Sequence, residues 1–95
     1  MALFLISYDL NKPEKDYPKL IDYLESIGAH RVFYSAWFVR LNTTIDALYN
    51  DVLKRVDGKD GLMVCVVESV IGNTNLQCLL SKLGVPVPKA ESSCL

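Results

Sequence analysis

The sequence has no excess of either charge, no cysteine framework and no long apolar run, and each absence excludes a class of protein. Ten basic residues stand against 11 acidic ones, for a formal net charge of −1, so no extensive nucleic-acid footprint is indicated. Cys65, Cys78 and Cys94 are odd in number and lack Cys-x-x-Cys spacing, which argues against a disulfide framework or a zinc site. No stretch approaches the ~18 apolar residues of a membrane span. We therefore expect no membrane association and a reducing, cytoplasmic location.

Length and composition indicate one small domain that is rich in apolar side chains. A chain of 95 residues has room for one sheet covered by two helices, but not for a second core. Apolar residues make up 51% of it and charged residues only 22%, so we expect part of the apolar surplus to face a partner. The opening run of residues 1–7 lacks a basic leader and is predicted to be a strand rather than a signal peptide. We predict a domain over residues 1–84 and a C-terminal tail over 85–95.

The first half of the chain predicts a strand, a helix and a strand pair. Residues 2–7 form an almost unbroken apolar run, typical of a buried strand. Pro18 suits the first turn of an amphipathic helix, and Gly28 supplies a left-handed stop. Residues 30–41 are aromatic and β-branched but longer than a usual strand, so we divide them near Ser35 into two paired strands. One long bent strand is the competing interpretation, because the proposed turn contains no Gly, Asn or Asp.

The second half predicts another helix and a further strand. Thr43-x-x-Asp46 resembles a capping box, and apolar residues follow it at helical spacing up to Val56. Residues 57–61 form a turn rich in Gly and Asp, and residues 62–67 form a strand with no polar face. A short helix over 75–83 is the last predicted element. The resulting order is β-α-β-β-α-β, which predicts an α+β, ferredoxin-like fold with an antiparallel sheet and both helices on one face.

The face of such a sheet that lies opposite the helices is apolar here and must be shielded from solvent. Alternation along the third strand places Trp37 on one face and Phe38 and Arg40 on the other, and we expect Trp37 and Phe38 to lie in the core or in a dimer interface. Two helices cover only one face, so the apolar second face predicts a sheet-to-sheet homodimer. The alternative is that the C-terminal segment folds back over it.

Asp9 is the candidate functional residue because it follows directly on a buried strand, beside Tyr8. Strand ends hold such acids rigidly while the loop leaves them open. The alternative is that Asp9 only accepts backbone N–H groups in the turn.

His30, the only histidine, is more typical of a structural position than of a catalytic base. Arg31 and Arg40 lie on neighbouring strands and are candidates to clamp a phosphate, unless they are solvated or paired, for instance with Glu68.

Several of these motifs occur together in one known family. The strand ending in Tyr8-Asp9-Leu10, the helix closing at Gly28 and the segment over residues 31–41 resemble the small CRISPR-associated adaptation protein Cas-two. The opening motif over residues 5–13 and the segment over 17–21 look like those of short proteins labelled SinR-like. The similarity covers roughly residues 3–68, and VapD-type ribonuclease toxins are similar cousins.

The resemblance implies a ferredoxin-like homodimer in which the strand-end aspartates of two subunits approach each other. In nuclease members of the family a magnesium ion there assists phosphodiester cleavage, whereas in spacer-integration complexes the dimer is a DNA-binding scaffold. Transferred to this chain, Asp9 is the catalytic and Mg²⁺-binding candidate. Tyr8 and Ser35 become its neighbours, and Arg31 or Arg40 contact the nucleic-acid backbone.

Three functions therefore remain open from the sequence. The first is a Mg²⁺-dependent nuclease acting on RNA or DNA in a CRISPR, toxin or antiviral defence setting. The second is a non-catalytic dimeric scaffold for nucleic acid or for a protein partner of a defence system. The third is recognition of a small nucleotide or other anion in the dimer groove. The segment after Asp9 carries only Lys12 and Lys15, where family members are often more basic, and this departure weakens the case for a long nucleic-acid track.

Overall fold

A computed structural model describes residues 1–73 and arranges them as a sheet with helices. The strands are β1 (Ala2–Asp9), β2 (His30–Phe33), β3 (Ala36–Leu41) and β4 (Gly61–Val66), the α-helices are α1 (Pro18–Ser26) and α2 (Ile45–Leu53), and a 3-10 helix spans Glu14–Asp16. All neighbouring strands are antiparallel, in the order β2-β3-β1-β4. The predicted α+β class is confirmed, and the arrangement is compatible with a ferredoxin-like fold. The predicted helix over 75–83 and the domain boundary at residue 84 lie outside the described residues.

The first strand and helix form where the sequence predicts them. β1 continues two residues beyond the predicted end, because Asp9 still pairs with Gly61 of β4. Beyond α1, Gly28 adopts a positive φ of 79°, and its N–H donates to the Glu25 carbonyl at 3.1 Å. The left-handed glycine thus satisfies the end of the helix as expected.

The break between β2 and β3 is also confirmed, and the bent-strand alternative is wrong. Tyr34 and Ser35 form the turn, and Phe33 pairs with Ala36 across it. Two-residue hairpin turns usually need positive φ angles, yet within residues 1–73 only Gly28 has one. The strands instead adjust through a register shift between Arg31 and Phe33.

The predicted start and end of the second helix need correction. Thr44, not Thr43, is the N-cap, and its Oγ1 accepts the N–H of Ala47 at 3.1 Å. The two threonines are adjacent and both suit a cap, so the sequence alone does not separate them. The helix ends at Leu53, and Val56 lies in the following turn while still packing on the core.

Both helices cover the same face of the sheet, as predicted. Leu20 and Leu24 of α1 and Leu48 and Val52 of α2 share one buried cluster with strand residues. The strand members of that cluster are Phe4, Ile6, Tyr8, Trp37 and Val39. Neither α1 nor α2 has the length and apolarity to cross a membrane.

The opposite face has a second, smaller cluster. Leu3 and Phe38 are buried there, with Val67 and Val70 among the side chains packed against them. Val67 also donates its N–H to the Leu3 carbonyl at 2.9 Å, so the chain directly after β4 covers this part of the face. Phe38, like Trp37 on the other face, is therefore a buried residue of the single chain.

Candidate functional site

A cleft of about 300 Å³ opens where β1 ends. Three segments build it: the end of β1, the loop into the 3-10 helix, and the β2–β3 turn. The lining residues are Tyr8, Asp9, Leu10, Lys12, Pro13, Glu14, Tyr34 and Ser35. The turn is anchored to the strand, because the Tyr8 N–H donates to the Ser35 carbonyl at 3.1 Å.

Asp9 is exposed at the end of β1. Its register with Gly61 places it on the face opposite the helices, on the same side as Ser7 and Met63. The hydrogen bonds and ion pairs formed among residues 1–73 do not include its carboxylate. In particular, Asp9 accepts no backbone N–H of the following turn, so the structure offers no support for the turn-forming role.

Asp60 fills that turn-forming role instead. Its Oδ1 accepts the N–H of Asn11 at 2.8 Å, and its Oδ2 accepts the N–H of Asp57 at 2.6 Å. Desolvation opposes the charged form, but these hydrogen bonds and one from Tyr17 outweigh it and lower the pKa of Asp60. The carboxylate before β4 thus fixes the loop that follows β1, which leaves Asp9 free of that task.

Tyr17 completes the same attachment from the start of α1. Its hydroxyl lies 2.9 Å from Oδ1 of Asn11 and 3.0 Å from Oδ1 of Asp60, so two acceptors compete for one proton. Desolvation, followed by the hydrogen bond to Asp60 and that group's charge, raises the pKa of Tyr17 to about 12. Tyr17 is therefore a neutral donor that pins the loop to the core.

A closed ring of four side chains lies beside the cleft, and two of its members, Tyr8 and Glu14, line it. The Trp37 Nε1–H donates to the Tyr8 hydroxyl at 3.0 Å, and that hydroxyl donates to Oε2 of Glu14 at 3.2 Å. Arg31 Nη2 donates to Oε1 of Glu14 at 3.0 Å, and the Arg31 guanidinium lies 4.6 Å from the centre of the Trp37 ring. Each member contacts the next, so the four side chains hold one another in place.

The ring determines which groups remain available for chemistry. Both Glu14 oxygens have a donor, from Tyr8 and Arg31. Desolvation raises the pKa of Tyr8, against the opposing effect of the Trp37 hydrogen bond, so its hydroxyl stays protonated. Of the two carboxylates that line the cleft, Asp9 is the one without a bound donor among the described residues.

The structure brings some of the predicted site residues together and separates others. Tyr8 and Ser35 line the cleft with Asp9. Arg31 binds Glu14 rather than Glu68. Arg40 pairs with Leu3 at the far end of β1, six residues from Asp9 and hence ~20 Å away.

Two further polar residues lie outside the cleft. Nη1 of Arg40 donates to the Met1 carbonyl at 3.2 Å, at the opposite end of the sheet from Asp9. His30 is exposed at the start of β2 and does not line the cleft. Neither residue is therefore placed to act on a group bound beside Asp9.

A second, more basic cleft adjoins the first. It has a volume of about 490 Å³ between the start of α1 and the end of α2, and Lys12 lines both clefts. Its cations are Lys12, Lys19, Lys54 and Arg55, and its carboxylates are Asp16 and Asp57. Lys12 lies 3.6 Å from Asp57 in an exposed ion pair, which is weak enough to exchange for another anion.

No cluster of three or more His, Cys, Asp or Glu side chains within residues 1–73 is arranged to hold a metal ion. No protein-family model matches the chain. The site must therefore be interpreted from its own geometry.

The sequence did not single out Glu14, Asp60 or Tyr34 as parts of the site. Glu14 and Asp60 lie in polar loops, where acidic residues are common. Their partners are far along the chain, as with Asp60 and the N–H of Asn11, 49 residues apart. The only local sign was Tyr34, an aromatic residue in a predicted turn position that usually carries small or polar residues.

Proposed function

We propose that this chain is a metal-dependent nuclease that hydrolyses phosphodiester bonds of RNA or DNA as a homodimer. The observation that carries the proposal is the state of the Asp9 carboxylate. It is exposed beside a cleft, held on a rigid strand, and has no partner among residues 1–73. A carboxylate that the described part of the chain neither pairs nor needs for its loop suits a role toward a ligand.

The surroundings of Asp9 favour a phosphate as that ligand. Lys12 lies in the same cleft and continues into the basic one, so an anion beside Asp9 would meet a cation at once. Ser35 adds a hydroxyl at the cleft wall. A carboxylate that lines the same cleft as a lysine suits a phosphate with its bound metal ion, because the carboxylate can hold the metal and the lysine can hold the phosphate.

The carboxylates of one chain do not suffice to hold Mg²⁺, so a second copy and a substrate phosphate would have to supply further ligands. Within residues 1–73, the Asp9 oxygens have no hydrogen-bond donor or ion-pair partner, while Glu14 is already bound on both oxygens. Mg²⁺ is commonly held by one or two carboxylates together with substrate phosphates and waters. Asp9 of two copies and one substrate phosphate would satisfy that requirement. When bound, Mg²⁺ supplies charge neutralisation at the phosphate and an activated water.

The other residues around the cleft hold its lining side chains and its loop in position. The ring of Trp37, Tyr8, Glu14 and Arg31 fixes two residues that line the cleft, Tyr8 and Glu14, while Asp60 holds the loop that carries Lys12. We place the chain with the ferredoxin-like, Cas-two-like proteins, in a cytoplasmic defence setting, on the strength of its strand-end Asp9 and its element order. Asp9 lies on the face opposite the helices, so a second copy docked on that face is the arrangement that brings two Asp9 residues together.

The test compares wild type with Asp9→Asn on short single- and double-stranded RNA and DNA, each with magnesium, manganese or a chelator. Asn keeps the shape of Asp but loses the negative charge that holds a cation, so cleavage should fall by orders of magnitude while the melting temperature persists. Asp22→Asn is the matched control, because Asp22 is an exposed acid on α1 outside this cleft.

Two results would remove the enzyme from consideration. One is the absence of cleavage of any substrate by wild type, and the other is equal cleavage by wild type and Asp9→Asn. Retained nucleic-acid binding in either case would leave the non-catalytic dimeric scaffold as the function, since that role does not need the Asp9 charge.

A further inference from the structure

Two large exposed aromatic side chains lie next to each other where β2 meets the turn: Phe33 is the last residue of β2, and Tyr34 is the first residue of the turn. Phe33 is 65% exposed and Tyr34 is 69% exposed. Single exposed apolar residues are ordinary, so exposure alone would mean little. The informative feature is position, because Tyr34 lines the same cleft as Asp9 and Lys12 whereas Phe33 does not.

The Tyr34 ring has the Arg31 guanidinium over it and is otherwise largely exposed. The Arg31 guanidinium lies 5.8 Å from its centre, and the same guanidinium is held by Glu14 and by the face of Trp37. An aromatic ring whose position is supported on one side and exposed on the other is the arrangement that accepts a planar ligand by stacking.

The cleft therefore presents two different chemistries at neighbouring positions. Asp9 and Lys12 suit the charged phosphate, with or without a metal ion, and Tyr34 suits a flat, apolar face. A nucleotide has both parts joined by one sugar. The cleft volume of about 300 Å³ lies at the small end of the usual range for ligand sites, which suits one nucleotide rather than a base pair.

We propose that Tyr34 is a base-stacking residue that selects an unpaired nucleotide, so that the substrate at the Asp9 cleft is single-stranded nucleic acid. This inference rests on the proposed function, since it names the substrate class of the same site. Bases within a duplex stack on each other and present only their edges, whereas unpaired bases can lie on aromatic side chains.

The test measures binding in the presence of a chelator, so that cleavage plays no part. The probes are a fluorescein-labelled single strand, its duplex, and the same single strand with abasic sites, and the readout is fluorescence anisotropy. Stacking on an aromatic residue typically contributes enough that Tyr34→Ala should weaken single-strand binding roughly 5- to 100-fold. Tyr34→Phe keeps the ring and should stay within about twofold of wild type.

The matched control is Phe33→Ala, which removes a ring of similar exposure outside the cleft and should leave affinity unchanged. The abasic strand retains the phosphates but not the bases, so its affinity should be low and insensitive to Tyr34→Ala. These results would support the proposal even if wild type cleaves nothing, because they concern binding alone.

Other outcomes would overturn it. Unchanged single-strand affinity in Tyr34→Ala, tighter binding of the duplex, or no nucleic-acid binding by wild type each contradict base stacking. A fourth outcome, loss of a dimer in Tyr34→Ala by light scattering with unaltered affinity per chain, would assign the ring to contact with a second copy. By contrast, loss of cleavage in Asp9→Asn with intact stacking behaviour would support both proposals together.

Discussion

The indole N–H of Trp37 donates a 3.0 Å hydrogen bond to the hydroxyl of Tyr8, and both side chains are buried. Tyr8 immediately precedes Asp9 on β1, so the bond ties the candidate site to the centre of the sheet. An indole has a donor and no acceptor, while a phenol has both. This pairing therefore leaves the Tyr8 proton for Glu14.

Trp37→Ala should lower the free energy of unfolding by ~3–5 kcal/mol, because a large buried aromatic side chain is removed. Trp37→Phe keeps much of the bulk and loses mainly the hydrogen bond, so its cost should be smaller. Urea unfolding curves of the three proteins measure the difference. An unchanged midpoint in Trp37→Ala would contradict the 4% exposure of this side chain.

Asp60 predicts a specific dependence of stability on acid. Hydrogen bonds from Asn11, Asp57 and Tyr17 lower its folded pKa below the ordinary 3.8. The unfolded chain therefore binds the proton more tightly, so this contribution is present above about pH 4 and is lost as the pH falls through the folded pKa.

Asp60→Asn should remove that contribution. The amide group of Asn would face the N–H of Asp57 where Oδ2 now accepts, so the variant should be less stable at pH 7. Its deficit relative to wild type should shrink as the pH falls below about 4. Free energies of unfolding measured from pH 7 to pH 3 check this, with Asp22→Asn as the control. A deficit that stays constant over that range would contradict it.

Replacing each of two glycines with alanine should change the stability of the protein in opposite directions. Gly28 has a φ of 79°, so Gly28→Ala should destabilise by roughly 1–2 kcal/mol. A Cβ on Gly61 would lie 3.4 Å from Cβ of Asp9, in ordinary contact and without positive φ. Gly61→Ala should therefore stabilise by about 0.5 kcal/mol through the unfolded state. Thermal melts of both variants measure the signs, and a loss of stability in Gly61→Ala would show that Asp9 tolerates no neighbour there.

The proposed homodimer is open to a direct measurement. Light scattering at micromolar concentration should give about twice the 10.6 kDa mass of one chain. Met63 is 52% exposed and lies on the same face as Asp9, so Met63→Glu should yield a folded monomer by placing a charge in the interface. Lys59→Glu, in the exposed turn before β4, should leave the mass unchanged. A wild-type monomer would rule out a site shared between two copies.

Local patterns in the sequence were enough for the elements but not for their connections. The apolar run of β1, the periodicity of α1 and the stop at Gly28 are properties of neighbouring residues, and they predicted these elements closely. The hydrogen bonds from Tyr8 and Arg31 to Glu14 depend on how β1, β2 and the 3-10 helix meet in space. No local pattern encodes that meeting, so the sequence did not identify Glu14 as the partner of Arg31, nor show that Arg40 lies at the other end of β1 from Asp9.

The ring of Trp37, Tyr8, Glu14 and Arg31 also bears on the order in which the chain folds. All four residues lie between positions 8 and 37, whereas β4 pairs with β1 from more than 50 residues away, as with Asp9 and Gly61. Shorter loops cost less entropy to close, and the N-terminal part of a chain leaves the ribosome first. The ring beside the cleft can therefore assemble before β4 pairs with β1, with the Asp60 attachment closing the loop last.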